Sequence, residues 1–357
     1  MPPKVAVLGL GGIGGSIGAY LAHAGHDVTL IDQWAEHVEA IKRNGLRLTD
    51  VNQEFTVPAQ ALHLSEVSGL RKPFDAVFLS VKAYDTIWCT HLIAPYLKPS
   101  GCILPAMNGL NDETVAQIVG YQRTVGCVPT ISAGVYEPGH VVRTDATTGH
   151  AFSVGEFSGI ITPRVQWVVG ALQAIGPSEA THNIWGARWS KMIWNCMGNA
   201  LAGLVGPVAT ALSQEQQELL GLLTVVTGSE AARIALHIGI VLEPMNNLHF
   251  EEFAAARTRD EILALKAKLE NTRQRGITPE QAHRLGVPGR PSLLQDVIKG
   301  RRTEVDHLNG IIVTMGVKLG LPTPMNKAIL DLMQEIEAGR VEPSAANLKR
   351  LEPYLPF

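Results

Sequence analysis

At 357 residues, with 46% hydrophobic and 18% charged residues, the chain exceeds what one hydrophobic core usually supports, so two domains are expected and intrinsic disorder is excluded. A formal net charge of -3 offers no electrostatic basis for binding nucleic acid or an anionic membrane. Cys89, Cys102, Cys127 and Cys196 are scattered, with no C-x-x-C pair and no histidine at zinc-ligand spacing; they read as small buried hydrophobes in a reducing compartment, and no metal site is expected.

The first residues run straight into a folded pattern without a charged leader, a long apolar stretch or a cleavage site, and no run of about 18 or more apolar residues stands out. A cytoplasmic location is the expectation. Lys4 to Leu8 is a short valine-rich run, as in a strand buried on both faces of a parallel sheet. Gly9-Leu10-Gly11-Gly12-Ile13-Gly14 follows, then a helical pattern from about Ile13 to Ala24 and a second strand from His26 to Asp32. Strand, glycine turn, helix, strand and acid within about thirty residues form the context a dinucleotide fingerprint requires. Gly9 permits the tight turn, Gly11 lets backbone approach a pyrophosphate, and Gly14 allows the helix to pack closely on the strand. The backbone of Gly12 and Ile13 opens the helix, whose N–H groups and partial positive charge face the phosphates.

Asp32 is expected at the tip of the second strand, where a carboxylate accepts hydrogen bonds from ribose hydroxyls and repels a 2′-phosphate. Gln33 and Trp34 supply no cation for such a phosphate, and Arg43 lies about three helical turns further on. This favours NAD(H) over NADP(H). The alternative is that Asp32 caps the helix beginning near Ala35. Phe74 to Val81 then reads as a buried strand, Tyr84 to Leu97 as a helix ended by Lys98-Pro99-Ser100-Gly101, and Cys102 to Pro105 as a strand running into Met107-Asn108-Gly109. Ligands bind beyond the carboxyl ends of such strands, which places Lys82 and Asn108 within reach of cofactor or substrate, although Lys82 could be an ordinary loop lysine and Asn108-Gly109 simply a turn. Thr124 to Thr144 reads as a hairpin closing the domain. Gly155 to Gly159 is a candidate linker, giving a dinucleotide-binding Rossmann domain over 1–160 and a helical substrate and catalytic domain over 161–357.

Helical periodicity dominates from about Gln166. Lys191, Asn195 and Asn199 stand at i, i+4 and i+8, one polar stripe on an otherwise apolar segment. Such a stripe is either a polar seam between helices or the wall of a wet pocket. A reduction by hydride needs a proton for the carbonyl oxygen, and a lysine whose pKa is lowered by burial suits that role. Pro291 to Gly310 is the second dense polar region. Thr303-Glu304, followed by Val305, Leu308, Ile311 and Ile312, reads as the entrance to an amphipathic helix, where an acid is favoured with or without a function.

Taken together, the glycine turn Gly9 to Gly14, Ser80-Val81-Lys82-Ala83, Asn108-Gly109-Leu110, the lysine helix with Asn195 and Asn199, and Ser292 through Asn309-Gly310 resemble the ketopantoate reductase (2-dehydropantoate 2-reductase) family. The resemblance runs from Lys4 to about Asn246 and from Pro291 to about Met333. It implies a two-domain oxidoreductase of pantothenate biosynthesis with Lys191, Glu304 and Asn108 as catalytic residues, Lys191 being the general acid toward a ketone oxygen and Asn108 touching both cofactor and substrate. It further implies that Asn195, Asn199, Ser292 and Glu304 bind the substrate, that Glu304 also lies at the cofactor's edge, and that Lys82 is the loop lysine near the cofactor. NADP(H) is implied by the family, whose arginine after the second strand is here replaced by Asp32-Gln33. Where the family tends to carry a further polar residue after the lysine helix, this chain has Gly206-Pro207-Val208-Ala209, which leaves the substrate open. Asn247 to Arg290 reads as an insertion containing a charged helical run, Arg257 to Arg275: a solvated face, a pocket wall or a dimer surface.

The expected activity is interconversion of a small-molecule 2-oxo acid and its 2-hydroxy acid, with hydride passing to or from a nicotinamide. Two rivals stay open: a non-catalytic dinucleotide-binding sensor, and an opine or other hydroxyacid dehydrogenase with a bulkier substrate. The helical second half is compatible with a homodimer.

Overall fold

The computed structural model describes residues 2–207, 212–273 and 278–357. The chain divides into two compact units, Met1–Ile184 with Gly276–Gly289, and Trp185–Arg275 with Arg290–Phe357.

Unit 1 opens with β1 (Lys4–Leu8), α1 (Gly12–His23), β2 (Asp27–Asp32), α2 (Ala35–Asn44), β3 (Leu46–Thr49), β4 (Glu54–Val57) and β5 (Gln60–His63). It continues with β6 (Phe74–Leu79), α3 (Thr86–Ile93), β7 (Leu97–Pro105) and α4 (Asp112–Val119). Next come β8 (Gly126–Pro129), β9 (Ala133–Glu137), β10 (His140–Arg143), β11 (Phe152–Gly155), α5 (Pro163–Leu172) and β12 (Ser178–Ala180). A parallel five-stranded sheet of order β5-β2-β1-β6-β7 is its centre. Alternate residues of one strand enter different cores, as the period of two requires: Val5 and Val7 pack with α1 on one face, Ala6 and Leu8 with α3 and α4 on the other. Both faces are buried, which explains the apolar runs Val5 to Leu8 and Ala76 to Leu79. This is the expected Rossmann-like arrangement.

Several expectations need adjustment. Lys98 to Gly101 does not end a helix but lies in β7, and the helix before it is shorter, Thr86–Ile93. Of the expected hairpin, only β9 and β10 pair with each other; they extend a mixed sheet of order β4-β3-β10-β9, whereas β8 joins β11 and β12 in a third sheet. Unit 1 also runs past 160, to Ile184. The physical reason is that Gly155–Gly159 is pinned and cannot serve as a linker. Glu156 is buried, and its two oxygens accept from Arg164 Nε and Nη2, both at 2.7 Å, and from Thr162 Oγ1 at 2.6 Å. α5 thereby docks onto the sheet of β11 and β12.

Burial pushes the Glu156 carboxyl up, but the bonds from Arg164 and Thr162 outweigh it and hold the group below its ordinary value of 4.5. Glu156→Gln is therefore expected to cost about 1–3 kcal/mol at neutral pH. A carboxyl depressed on folding contributes stability above its unfolded pKa and loses it as pH falls through the folded one. The gap in Tm between variant and wild type should accordingly shrink below pH 4.5; a gap independent of pH would refute the ionic account.

Unit 2 is helical. It takes most of α6 (Ile184–Val205), then α7 (Gln214–His237), α8 (Phe250–Ala255) and α9 (Arg259–Arg273); α10 (Pro279–Leu285) belongs to unit 1; α11 (Ser292–Ile298), α12 (Asn309–Leu319) and α13 (Pro324–Glu337) complete unit 2. α7 packs with α8, α9, α12 and α13. At Gly228, where a Cβ would lie 2.6 Å from Met197 Cγ, α7 also approaches α6 closely. α7 corrects one reading of the sequence: an 18-residue window of it, with mean hydropathy 1.5, is long and apolar enough to cross a bilayer. That window is 72% buried within the fold, as a core helix would be.

The segment read as an insertion is divided. α8 and α9 stay in unit 2, while α10 and its flanks return to unit 1. There Leu285 and Val287 pack on Val51, Val142 and Tyr136, and Tyr136 Oη donates to the Pro288 carbonyl at 3.3 Å. Of the charged run, residues 274 and 275 lie outside the described residues.

Candidate functional site

In unit 1 the strands β1, β2, β6 and β7 end level with one another, and Gly9 to Gly14, Asp32, Lys82 and Asn108 follow those strand ends; Glu304, also expected at the cofactor, lies in unit 2. Gly9 has φ +94°, and a Cβ there would lie 2.7 Å from the Ser80 carbonyl. At Gly14 a Cβ would come within 1.9 Å of the Gly9 carbonyl oxygen, so the turn and the helix touch backbone to backbone. Gly11 differs: apart from its two chain neighbours, nothing lies within 4 Å of where its Cβ would be. This open cradle stands at the N-cap of α1, which has no side-chain cap and no acid in its first turn. A diphosphate fits these features, because its charge meets the helix start and no side chain competes for the N–H groups of Gly12, Ile13 and Gly14. Gly12 has a further task the fingerprint does not announce. A Cβ on it would lie 2.2 Å from the Ala133 carbonyl oxygen, so α1 rests directly on β9.

Asp32 ends β2. Its Oδ2 accepts from Leu10 N in the glycine turn at 2.5 Å and its Oδ1 from Trp34 N at 2.8 Å. It is not the cap of α2, whose N-cap is Trp34. Its carboxylate instead ties the glycine turn to the strand end, and two oxygens with about four acceptor sites leave further lone pairs open to a donor. Trp34 Nε1 donates to Glu36 at 3.2 Å, so residues 32–36 carry two carboxylates and no cation. Arg43 is turned onto the Glu39 carbonyl, with Nε at 3.2 Å.

Lys82 and Asn108, both half-buried, follow β6 and β7. Ser80 Oγ donates to the Ala106 carbonyl at 3.1 Å, drawing the two loops together. Gly109 has φ +89°, so Asn108-Gly109 is a genuine turn, and the Asn108 carbonyl accepts from Asn111 Nδ2 at 2.7 Å. Sequence reasoning missed Asn111; its position just before α4 was the available signal.

In unit 2, Lys191, Asn195 and Asn199 all lie on α6, Asn195 buried and the other two half-buried. Ser292, the first residue of α11, meets this stripe: Asn199 Nδ2 donates to Ser292 Oγ at 3.2 Å across 93 residues of sequence. Glu304 is buried and sits at a short turn, Val305–His307, before α12; the helix thus begins later than the sequence suggested. Buried Asp296 pairs with Arg301 at 2.7 Å, closing the turn after α11. Val208 and Ala209, part of the departure noted after the lysine helix, lie outside the described residues.

All four cysteines are buried and none forms a disulfide, and burial pushes the Cys102 thiol up to about 11. Among the described residues no three His, Cys, Asp or Glu side chains converge as metal ligands would.

Comparison with known proteins identifies the family. The family model described as ketopantoate reductase PanE/ApbA matches residues 5–159, and its C-terminal counterpart matches residues 183–337. The 2-dehydropantoate 2-reductase of Archaeoglobus fulgidus is 28% identical over 341 residues, covering 94% of this chain and 98% of the relative. Among solved structures, a PanE/ApbA family ketopantoate reductase from Ralstonia eutropha is 26% identical with a TM-score of 0.71, covering 94% of this chain and 99% of that one. A D-mandelate dehydrogenase solved with NADH and anilino(oxo)acetate shares the fold at 23% identity, TM-score 0.74, with 94% and 99% covered. With both family models matched in order and most of the chain covered, this protein belongs to the ketopantoate reductase family of oxidoreductases.

Proposed function

We propose that the chain is an NAD-linked enzyme interconverting a 2-oxo acid and its 2-hydroxy acid. The observation that carries this reading is the meeting of Asn199 and Ser292 at 3.2 Å, which brings a second polar segment onto the stripe headed by Lys191. The relatives named 2-dehydropantoate 2-reductase, such as that of Archaeoglobus fulgidus, support the substrate class. A bound nicotinamide dinucleotide supplies or accepts a hydride at the substrate's C2.

The chain's own residues do the rest. Gly9, Gly11, Gly12, Ile13 and Gly14 receive the diphosphate, Asp32 takes the ribose hydroxyls, and Lys82 and Asn108 line the loops beside them. Lys191 gives its proton to the carbonyl oxygen during reduction and recovers it during oxidation. Asn195, Asn199 and Ser292 hold the substrate's polar groups by donating hydrogen bonds, and Glu304 accepts one, fixing the orientation in which the proton travels a short path. We further propose that the enzyme works as a homodimer.

The preference for NAD follows from charge. A 2′-phosphate would face Asp32 and Glu36 with no cation in the β2–α2 turn. With a panel of 2-oxo acids including ketopantoate and bulkier aryl acids, kcat/KM should favour NADH over NADPH by about tenfold or more, equivalent to at least ~1.4 kcal/mol. Asp32→Ser combined with Gln33→Arg should narrow or invert that ratio. A wild-type preference for NADPH would overturn the assignment of Asp32, and tight cofactor binding without turnover on any acid would favour a sensor.

A further inference from the structure

Two amides deep in unit 2 are used by nothing described so far. Asn309 and Asn326 are both fully buried. Glu230 of α7 accepts from the backbone N–H groups of Met325 and Asn326, each at 2.9 Å, and from Asn326 Nδ2 at 2.8 Å. Asn326 Nδ2 also donates to the Thr227 carbonyl at 3.1 Å. Both of these partners are acceptors, so the Asn326 amide has one orientation only, with its Oδ1 toward Asn309. Asn309 must then present Nδ2, which donates to Asn326 Oδ1 at 2.9 Å and reaches the Cys196 carbonyl of α6 at 3.4 Å. Every link has a fixed direction, and the residual cost falls on Asn309 Oδ1, which is buried with no hydrogen-bond partner.

The two ends of this relay matter. Cys196 follows Asn195 on α6, between Lys191 and Asn199, and Asn309 opens α12 five residues after Glu304. We propose that Asn309 is a positioning residue: its amide clamps the start of α12 to α6 and so holds Glu304 in register with the Lys191–Asn195–Asn199 stripe. This rests on the assignment of those residues to the site. The clamp also accounts for the unpartnered Asn309 oxygen, since reversing the amide would set that one oxygen against the Asn326 Oδ1 and Cys196 carbonyl oxygens and release α6.

The test is a double-mutant cycle on the full chain, assayed with NADH and ketopantoate. Asn309→Ala should lower kcat/KM by about 10–100-fold, mostly in kcat, while leaving NADH affinity nearly unchanged; in a Lys191→Ala background the further loss should largely vanish, because the clamp acts through the stripe. Equal losses in both backgrounds, or no loss in either, would overturn the proposal. A second readout needs no turnover. After reductive ¹³C-methylation, with Lys191→Arg identifying the resonance, Asn309→Ala should shift or broaden the Lys191 signal in folded protein; an unmoved signal counts against the clamp. If the alanine variant does not fold, Asn309→Ser, which keeps one donor, should show an intermediate loss, and full activity there would refute the role. Should Lys191→Ala itself stay active, the assignment of the general acid fails, while the resonance test still judges the clamp.

Discussion

Lys191→Ala is expected to lower kcat by about 10²–10⁴-fold while leaving NADH binding nearly intact. The proposed dinucleotide residues, Gly9 to Gly14 and Asp32, lie in unit 1, whereas Lys191 lies on α6 in unit 2 with Asn195 and the Asn199–Ser292 pair. Removing the ammonium takes away the proton delivered to the developing alkoxide and leaves the glycine turn untouched. Lys191→Arg sharpens the test. Arginine keeps a positive charge but does not surrender its proton at accessible pH, so a requirement for charge alone would spare activity and a requirement for proton transfer would not. Steady-state kinetics with NADH fluorescence titration decides the matter. Near wild-type turnover in the alanine variant would remove Lys191 from the mechanism.

Two glycines of the same turn should respond oppositely to the same added methyl group. At Gly14 the new Cβ would stand 1.9 Å from the Gly9 carbonyl oxygen, a backbone atom that cannot step aside. Gly14→Ala is expected to destabilise unit 1 by about 3 kcal/mol or more and to abolish dinucleotide binding with it. Gly11 has φ -64° and ψ -166°, which alanine adopts without strain, and its Cβ would meet no protein atom. Gly11→Ala should therefore hold stability within about 1 kcal/mol of wild type. Its NADH affinity should nonetheless fall about tenfold or more, because the methyl group occupies the cradle where the diphosphate belongs. Thermal melts and NADH titrations on both variants read the two effects separately. If Gly11→Ala bound NADH as tightly as wild type, the open cradle would not be the phosphate site.

What could be read from sequence was whatever repeats at short range. The apolar runs of β1 and β6 announce strands buried on both faces, the glycines lie within one turn, and Lys191, Asn195 and Asn199 share a face by helical spacing alone. The short strands β3, β4 and β5 gave no such signal: each has four residues, too few for the alternation of exposed Arg47, Glu54 and Thr56 with their more buried neighbours to stand out. Contacts between distant segments were equally hidden. Nothing local reveals that Gly12 rests on Ala133, that Asn199 meets Ser292, or that Glu156 and Arg164 lock what looked like a linker. The unit boundary therefore fell at Ile184 rather than near residue 160.

The return of α10 to the first unit has a practical consequence for anyone dividing this enzyme. The polypeptide crosses from one unit to the other three times, after Ile184, after Arg275 and after Gly289. A nucleotide-binding fragment cut at residue 184 would lack Leu285 and Val287, stripping the cover from Val51 and Val142 and presenting a greasy scar to solvent. Chimeras that exchange the nucleotide module between family members must carry this outlying piece along or replace it with a designed lid.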